Sequence, residues 1–247
     1  MNNIYEVKTA IITGGSRGIG RAISEILASH GCNVVINYVS DDVSAFEVKE
    51  EMQKKYGVQV LLCKGDVSDE AFVKKMVDTV KSEFGHIDYL INNAGIAIDT
   101  TLEDKTVDNF RRILDVNLIG TFLLCKYVGK VMMDANCGSI VTISSTNGID
   151  SYYPYGMDYD ASKAGVINLT HNFAIEYAPN VRVNSVAPGW VKTDAIKELD
   201  EEQLNEEYKH ILLGRFAEPK EIAEAVYFVL TSTYMNDSIV KIDGGRC

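Results

Sequence analysis

Short apolar runs and amphipathic stretches alternate along this chain from end to end. Ala10–Thr13, Asn33–Tyr38, Val58–Lys64, Ile87–Ile91, Ser139–Ser144, Val181–Val186 and Ile239–Ile242 are rich in β-branched residues and read as strands. Between them, apolar positions at helical spacing predict helices over Ile19–Ser29, 41–56, 69–84, Val107–Met133, Met157–Tyr177 and Pro219–Leu230, with a polar helical segment over 194–212. Gly31 closes the first helix, and Ser68 is read as the cap of the third, ahead of Asp69 and Glu70. Strands alternating with helices predict a parallel sheet covered on both faces. Val34-Val35-Ile36 and Ile140–Ile143 suit this, since strands buried on both sides carry little polarity. The expected fold class is α/β, a doubly wound sheet of seven strands whose ligands lie at the carboxyl ends of the strands.

At 247 residues one hydrophobic core suffices, and no linker or repeat divides the chain, so residues 1–247 are read as a single domain. A net charge of −11 excludes a nucleic-acid surface, which needs clustered Lys and Arg. No basic-then-apolar leader is read at the amino end, and no apolar run is read as reaching the ~18 residues of a membrane span. The five cysteines are odd in number and form no Cys-x-x-Cys pair, which points to free thiols in a reducing cytoplasm. Four scattered histidines without a His-Glu-x-x-His arrangement argue against a metal site.

Two features carry chemistry. The first strand runs into Thr13-Gly14-Gly15-Ser16-Arg17-Gly18-Ile19-Gly20 and then a helix. Glycines there permit positive φ and remove the Cβ atoms that would strike a pyrophosphate, while the amides opening the helix face its charge. Ser16, Arg17 and Ile19 belong to the same cradle. The second strand ends Ile36-Asn37-Tyr38, with no acid to hold a free ribose 2′-hydroxyl, and Arg17 offers a guanidinium to a 2′-phosphate. NADP(H) is therefore expected over NAD(H), although Asp41 and Asp42 lie close enough to oppose it. The second feature is Tyr159 followed by Lys163, one turn later on the same helix face. Such a pair arises about once by chance in a chain this rich in tyrosine, so its weight rests on its company. Tyr152, Tyr153 and Tyr155 have no lysine four residues on.

Together Thr13–Gly20, Asp66-Val67, Asn92–Gly95, Asn117, Ser145, Tyr159-x-x-x-Lys163 and Pro188-Gly189-x-Val191-x-Thr193 resemble the short-chain dehydrogenase/reductase family, over essentially the whole chain. The resemblance implies a Rossmann fold and a ketone–alcohol oxidoreductase. It implies that Asp66 and Val67 hold the adenine, that Asn92, Asn93, Ala94 and Gly95 support the cofactor and the sheet, and that Pro188, Gly189, Val191 and Thr193 flank the nicotinamide. Tyr159 is then the proton donor, with its ordinary pKa near ~10 expected to fall beside an ammonium. Ser145, rather than Ser144, holds the substrate oxygen. Lys163 also binds the nicotinamide ribose, and Asn117 holds the water of a proton relay.

Asn37-Tyr38 and the Leu213-Gly214-Arg215…Pro219 stretch look like the 3-oxoacyl-acyl-carrier-protein reductases. Their carrier-docking arginines fall here at Asn136, Ser139 and Asn180, and an acidic chain repels an acidic carrier. A small free ketone, diketone or sugar-derived carbonyl is the preferred substrate, with a 3-oxoacyl thioester the alternative. A cofactor-sensing protein without turnover is disfavoured because every catalytic residue type is present. Residues 194–215, rich in Glu and Lys, are read as a lid, and Leu118–Met133 with the Tyr159 helix as packing in a homotetramer, or a homodimer.

Overall fold

Seven parallel strands form one sheet in the computed structural model, which describes residues 7–194, 196 and 201–246. They are β1 (Thr9–Thr13), β2 (Asn33–Tyr38), β3 (Val60–Lys64), β4 (Tyr89–Asn92), β5 (Gly138–Ile143), β6 (Val181–Pro188) and β7 (Ile239–Ile242). The helices are α1 (Gly18–Ser29), α2 (Asp42–Tyr56), α3 (Glu70–Phe84), α4 (Val107–Leu114), α5 (Gly120–Asp134), α6 (Met157–Tyr177), α7 (Glu201–Lys209) and α8 (Pro219–Thr231). Strand order is β3-β2-β1-β4-β5-β6-β7, so the winding reverses between β1 and β4. Successive strand residues point to opposite faces. Ala10 and Ile12 pack with Ile23, Leu27, Val48, Met52 and Val226 under α1, α2 and α8, while Ile11 packs with Val73, Met76, Leu124 and Ala174 under α3, α5 and α6. Each face has its own apolar core, as the strands' continuous apolarity requires.

Four local expectations differ from the structure. The third helix is capped by Asp69, whose carboxylate accepts from the amides of Ala71 and Phe72, while Ser68 bonds to Asp66 instead. The long helix over 107–134 is not regular, because Asp115–Ile119 forms a π turn between α4 and α5. That stretch is also long and apolar enough, by length and composition alone, to cross a membrane; 56% of its most apolar window is buried against the rest of the fold. The polar segment read over 194–212 contains only α7 as regular helix, and residues 195 and 197–200 of the expected lid lie outside the described residues.

The glycine turn fills the crevice where the strand order reverses. Gly14 and Gly18 have φ of +62° and +52°, and Gly20 lies so close to the turn that a Cβ there would sit 2.1 Å from the Gly14 carbonyl oxygen. Backbone cannot yield as a side-chain tip can. Gly20→Ala is expected to destabilise the protein by about 3 kcal/mol, at the severe end of overpacking, read as a lower urea midpoint with an unchanged slope.

Candidate active site

The end of β4 clamps the turn. The Asn93 side-chain amide donates to the Thr13 and Gly14 carbonyls at 2.8 and 3.2 Å, and the Thr13 hydroxyl accepts from the amides of Asn93 and Ala94, both at 3.0 Å. Gly15 N–H donates to the Asn37 carbonyl at 3.1 Å, tying the turn to β2. Asn37 is itself buried, and its amide donates to the Cys63 and Gly65 carbonyls, so it shapes the rim from behind. Tyr38 is also buried, its hydroxyl on Asp42. Asp66, just after β3, is held by Ser68 and by Arg112 at 2.7 Å, with Val67 packed on Gly120.

These residues fit a dinucleotide. The first turn of α1 holds no acidic residue, and its N-cap, Arg17, makes no side-chain cap, so its amides remain available to an anion. Ser16 is buried, and a Cβ on Gly18 would lie 3.3 Å from the Thr193 methyl. The turn and the 188–193 segment therefore form two lips of one slot. Beyond them a cleft of about 420 Å³ is lined by Ile19, Asn93, Gly95, Ser145, Tyr159, Lys163, Pro188, Gly189, Val191 and Thr193.

Of the predicted catalytic residues, Ser145, Tyr159 and Lys163 line this cleft, while Asn117 is buried behind Gly95. Ser145 lines the cleft beside Tyr159, and its hydroxyl favours the ionised phenol while accepting the Asn147 N–H at 3.2 Å. Ser144 is bonded to Ser185 and Val186 within the sheet instead. The Lys163 ammonium lies 5.4 Å from the centre of the Tyr159 ring and donates to the Ile143 carbonyl at 2.8 Å. The Asn117 side chain, presented by the π turn, exchanges two hydrogen bonds with the Ile96 backbone and donates to Ser162 at 3.0 Å. Tyr152 and Tyr153 line the outer cleft.

One expectation is reversed. Burial, with smaller contributions from Asp160 and Asp99, pushes the Tyr159 phenol up to about 12, although the Ser145 hydrogen bond works the other way. Burial likewise lowers Lys163 to about 8. The low dielectric that would strengthen their attraction penalises each charge first. The outer wall reaches beyond the expected lid at 194–215, which contributes Glu207, to residues the sequence did not single out. Glu207 on α7 accepts from the Trp190 indole at 2.6 Å and pairs with Arg246 at 3.1 Å, and all three line the cleft with Asp99. Trp190 stacks on buried Phe216, which also meets Tyr208 edge-on. These residues lie far apart in the chain, and nothing in their spacing announces a shared surface.

The profile of the family described as enoyl-(acyl carrier protein) reductase matches residues 14–246. The chain is 36% identical to the 3-oxoacyl-[acyl-carrier-protein] reductase of Chlamydia muridarum, over 99% of each. It is 38% identical to carbonyl reductase family member 4 of Xenopus laevis, over 96% of this chain and 97% of that one. The solved structure of levodione reductase superposes with a TM-score of 0.91 at 34% identity, covering 96% of each chain.

The depressed Lys163 has a stability consequence. Folding costs about 3 kcal/mol for that charge at neutral pH. The penalty is complete below pH about 8 and vanishes as pH rises to the ordinary value of 10.5. Lys163→Met should therefore unfold later in urea at pH 7, by about 2 kcal/mol after the orphaned Ile143 carbonyl is charged against it, and the advantage should shrink between pH 8 and 10.5.

Proposed function

The chain belongs to the short-chain dehydrogenase/reductase family and interconverts a ketone and a secondary alcohol with a nicotinamide dinucleotide, and we propose that the dinucleotide is NADP(H) and the substrate a small polar carbonyl. A nicotinamide held between the glycine turn and the 188–193 segment would supply or take the hydride. Tyr159 gives its proton to the carbonyl oxygen during reduction, and Ser145 holds that oxygen as charge develops. Lys163 steadies the phenol and the ribose. Asn117, fixed by Ile96 and Ser162, anchors the inner end of the proton relay.

The outer wall carries the substrate assignment. Asp99, Tyr152, Tyr153, Trp190, Glu207 and Arg246 form a polar and aromatic rim suited to hydroxyl and carbonyl groups rather than to a long acyl chain. Ser139 is buried, and Asn136 and Asn180 bond to each other, so the positions where a carrier protein would meet arginine offer no cation. A 3-oxoacyl thioester is the second reading, favoured by the names of several relatives. For the cofactor, Arg17 is exposed and makes no ion pair among the described residues. The nearby acids are engaged: Asp41 caps α2 through Ser44, and Asp42 receives Lys64 and the Tyr38 hydroxyl. Exposed Ile119, Phe122 and Ile175 on and beside α5 and α6 support assembly as a homotetramer or homodimer, and the free, buried thiols of Cys32, Cys63 and Cys125 suit the cytoplasm.

NADPH oxidation across acetoacetyl-CoA, small diketones and keto-sugars, with Tyr159→Phe as control, tests this reading. Turnover is expected to be best with a small carbonyl and to fall at least about a hundredfold in the variant; efficient turnover of a carrier-bound 3-oxoacyl chain would overturn the substrate assignment. Arg17→Ala is expected to weaken NADPH about tenfold while leaving NADH unchanged, since it removes one charge-assisted contact, as measured by fluorescence titration.

A further inference from the structure

Immediately before Tyr159 lies a buried charge that the chemistry above does not use. Asp158 is fully buried, and its carboxylate oxygens each accept from the Lys105 ammonium at 2.9 Å, with the Lys105 side chain only 4% exposed. The same carboxylate accepts the backbone N–H of Tyr159 at 3.0 Å. Lys105 donates its remaining proton toward the Ile98 carbonyl at 3.2 Å, in the segment after β4 whose residues Ile96, Ala97 and Asp99 wall the cleft. The segment has a second tie nearby, where Thr100 N–H meets the Tyr155 carbonyl.

We propose that Lys105 and Asp158 are positioning residues: the pair fixes the backbone of Tyr159, joins the substrate-facing wall to the helix carrying it, and cancels a negative charge one residue from the phenol. A buried pair of this kind is seldom kept for stability, because desolvation consumes most of its attraction. Its value here lies in geometry and field. The charged groups that act on the phenol or lie beside its ring are Asp160 and Lys163 from α6 and Asp99 from the wall; Glu207 and Arg246 line the same cleft farther out, and the Lys105–Asp158 pair meets Tyr159 at its backbone N–H. Asp160 and Asp99 already oppose ionisation of Tyr159. An unpaired carboxylate at position 158 would add a third negative charge and hold the phenol protonated to higher pH.

The inference rests on Tyr159 as the proton-transferring group, which the Y159F control tests separately. The assay is oxidation of acetoin, sorbitol or hydroxybutyryl-CoA with NADP⁺, using whichever the wild-type protein turns over fastest, across the alkaline range. Here Tyr159 acts as base, so the rate rises with pH. Lys105→Gln removes the charge and keeps two N–H donors on a slightly shorter side chain; its rising limb should move up by about one pH unit, giving about tenfold slower oxidation at a fixed pH on that limb with KM little changed. Lys105→Met combined with Asp158→Asn removes both charges and the Ile98 anchor; it should restore the limb to its wild-type position and raise KM several-fold. A K105Q profile that superposes on wild type, or whose plateau falls while its midpoint stays at the wild-type pH, would overturn the proposal. Should K105Q fail to fold, the double variant decides, and wild-type KM and kcat there would overturn it. Undiminished turnover by Y159F would overturn the reading of the site itself, a result independent of either Lys105 variant.

Discussion

The joint between β1 and β4 is the constraint on which the rest of the site depends. Parallel neighbours whose connections run in opposite directions leave a crevice at their carboxyl ends, and here the crevice is closed from below by Thr13 and Asn93. One hydroxyl accepts two amides and one side-chain amide spans two carbonyls. The Thr13 hydroxyl and the Thr13 and Gly14 carbonyls are thereby satisfied from the sheet side, which leaves the opposite side of the turn to face a ligand. Gly20 lies against the turn because no side chain fits there. The site proposed for the dinucleotide, between the turn and the 188–193 segment, takes one of its two lips from this joint.

At the chemical centre, burial and ionisation are in tension. Burial raises Tyr159, which borders the open cleft, and lowers Lys163, which lies deeper, so in the protein alone each group is shifted toward its neutral form. Proximity of an ammonium is therefore an incomplete account of an acidic phenol. The surrounding acids matter as much, and Lys105 gains its interest from cancelling one of them. Burial acts on the thiols in the same way: Cys125 is pushed up to about 12 and Cys63 to about 11, leaving both as unreactive packing groups.

Much of this was legible in the chain. β2, α6 and β7 have the limits their apolar patterns predict, because Gly and polar residues bound them sharply. The glycine turn and the Tyr159–Lys163 pair were readable because their roles demand fixed local spacing. The Asp69 cap was misread, since Ser68 and Asp69 are both competent and only the tertiary pull of Asp66 on Ser68 decides between them. The outer wall and the Lys105–Asp158 pair were not legible, since they join residues 17 to 53 positions apart through the fold. The π turn went unread because Leu118–Met133 is apolar beyond a single face, so a one-residue slip in the period does not show.

That extra residue has a further meaning. An ordinary insertion would rotate all that follows by about 100° and carry one apolar face away from the sheet. The wide turn at Asp115–Ile119 absorbs it, so Ile113 before it and Leu124 after it both remain buried. What changes is local: Asn117 is delivered inward to Ile96 and Ser162. Scaffold and chemistry are thus separable at this point of the chain. A lineage could gain or lose the inward amide by the length of the helix alone, with the core on either side left as it was.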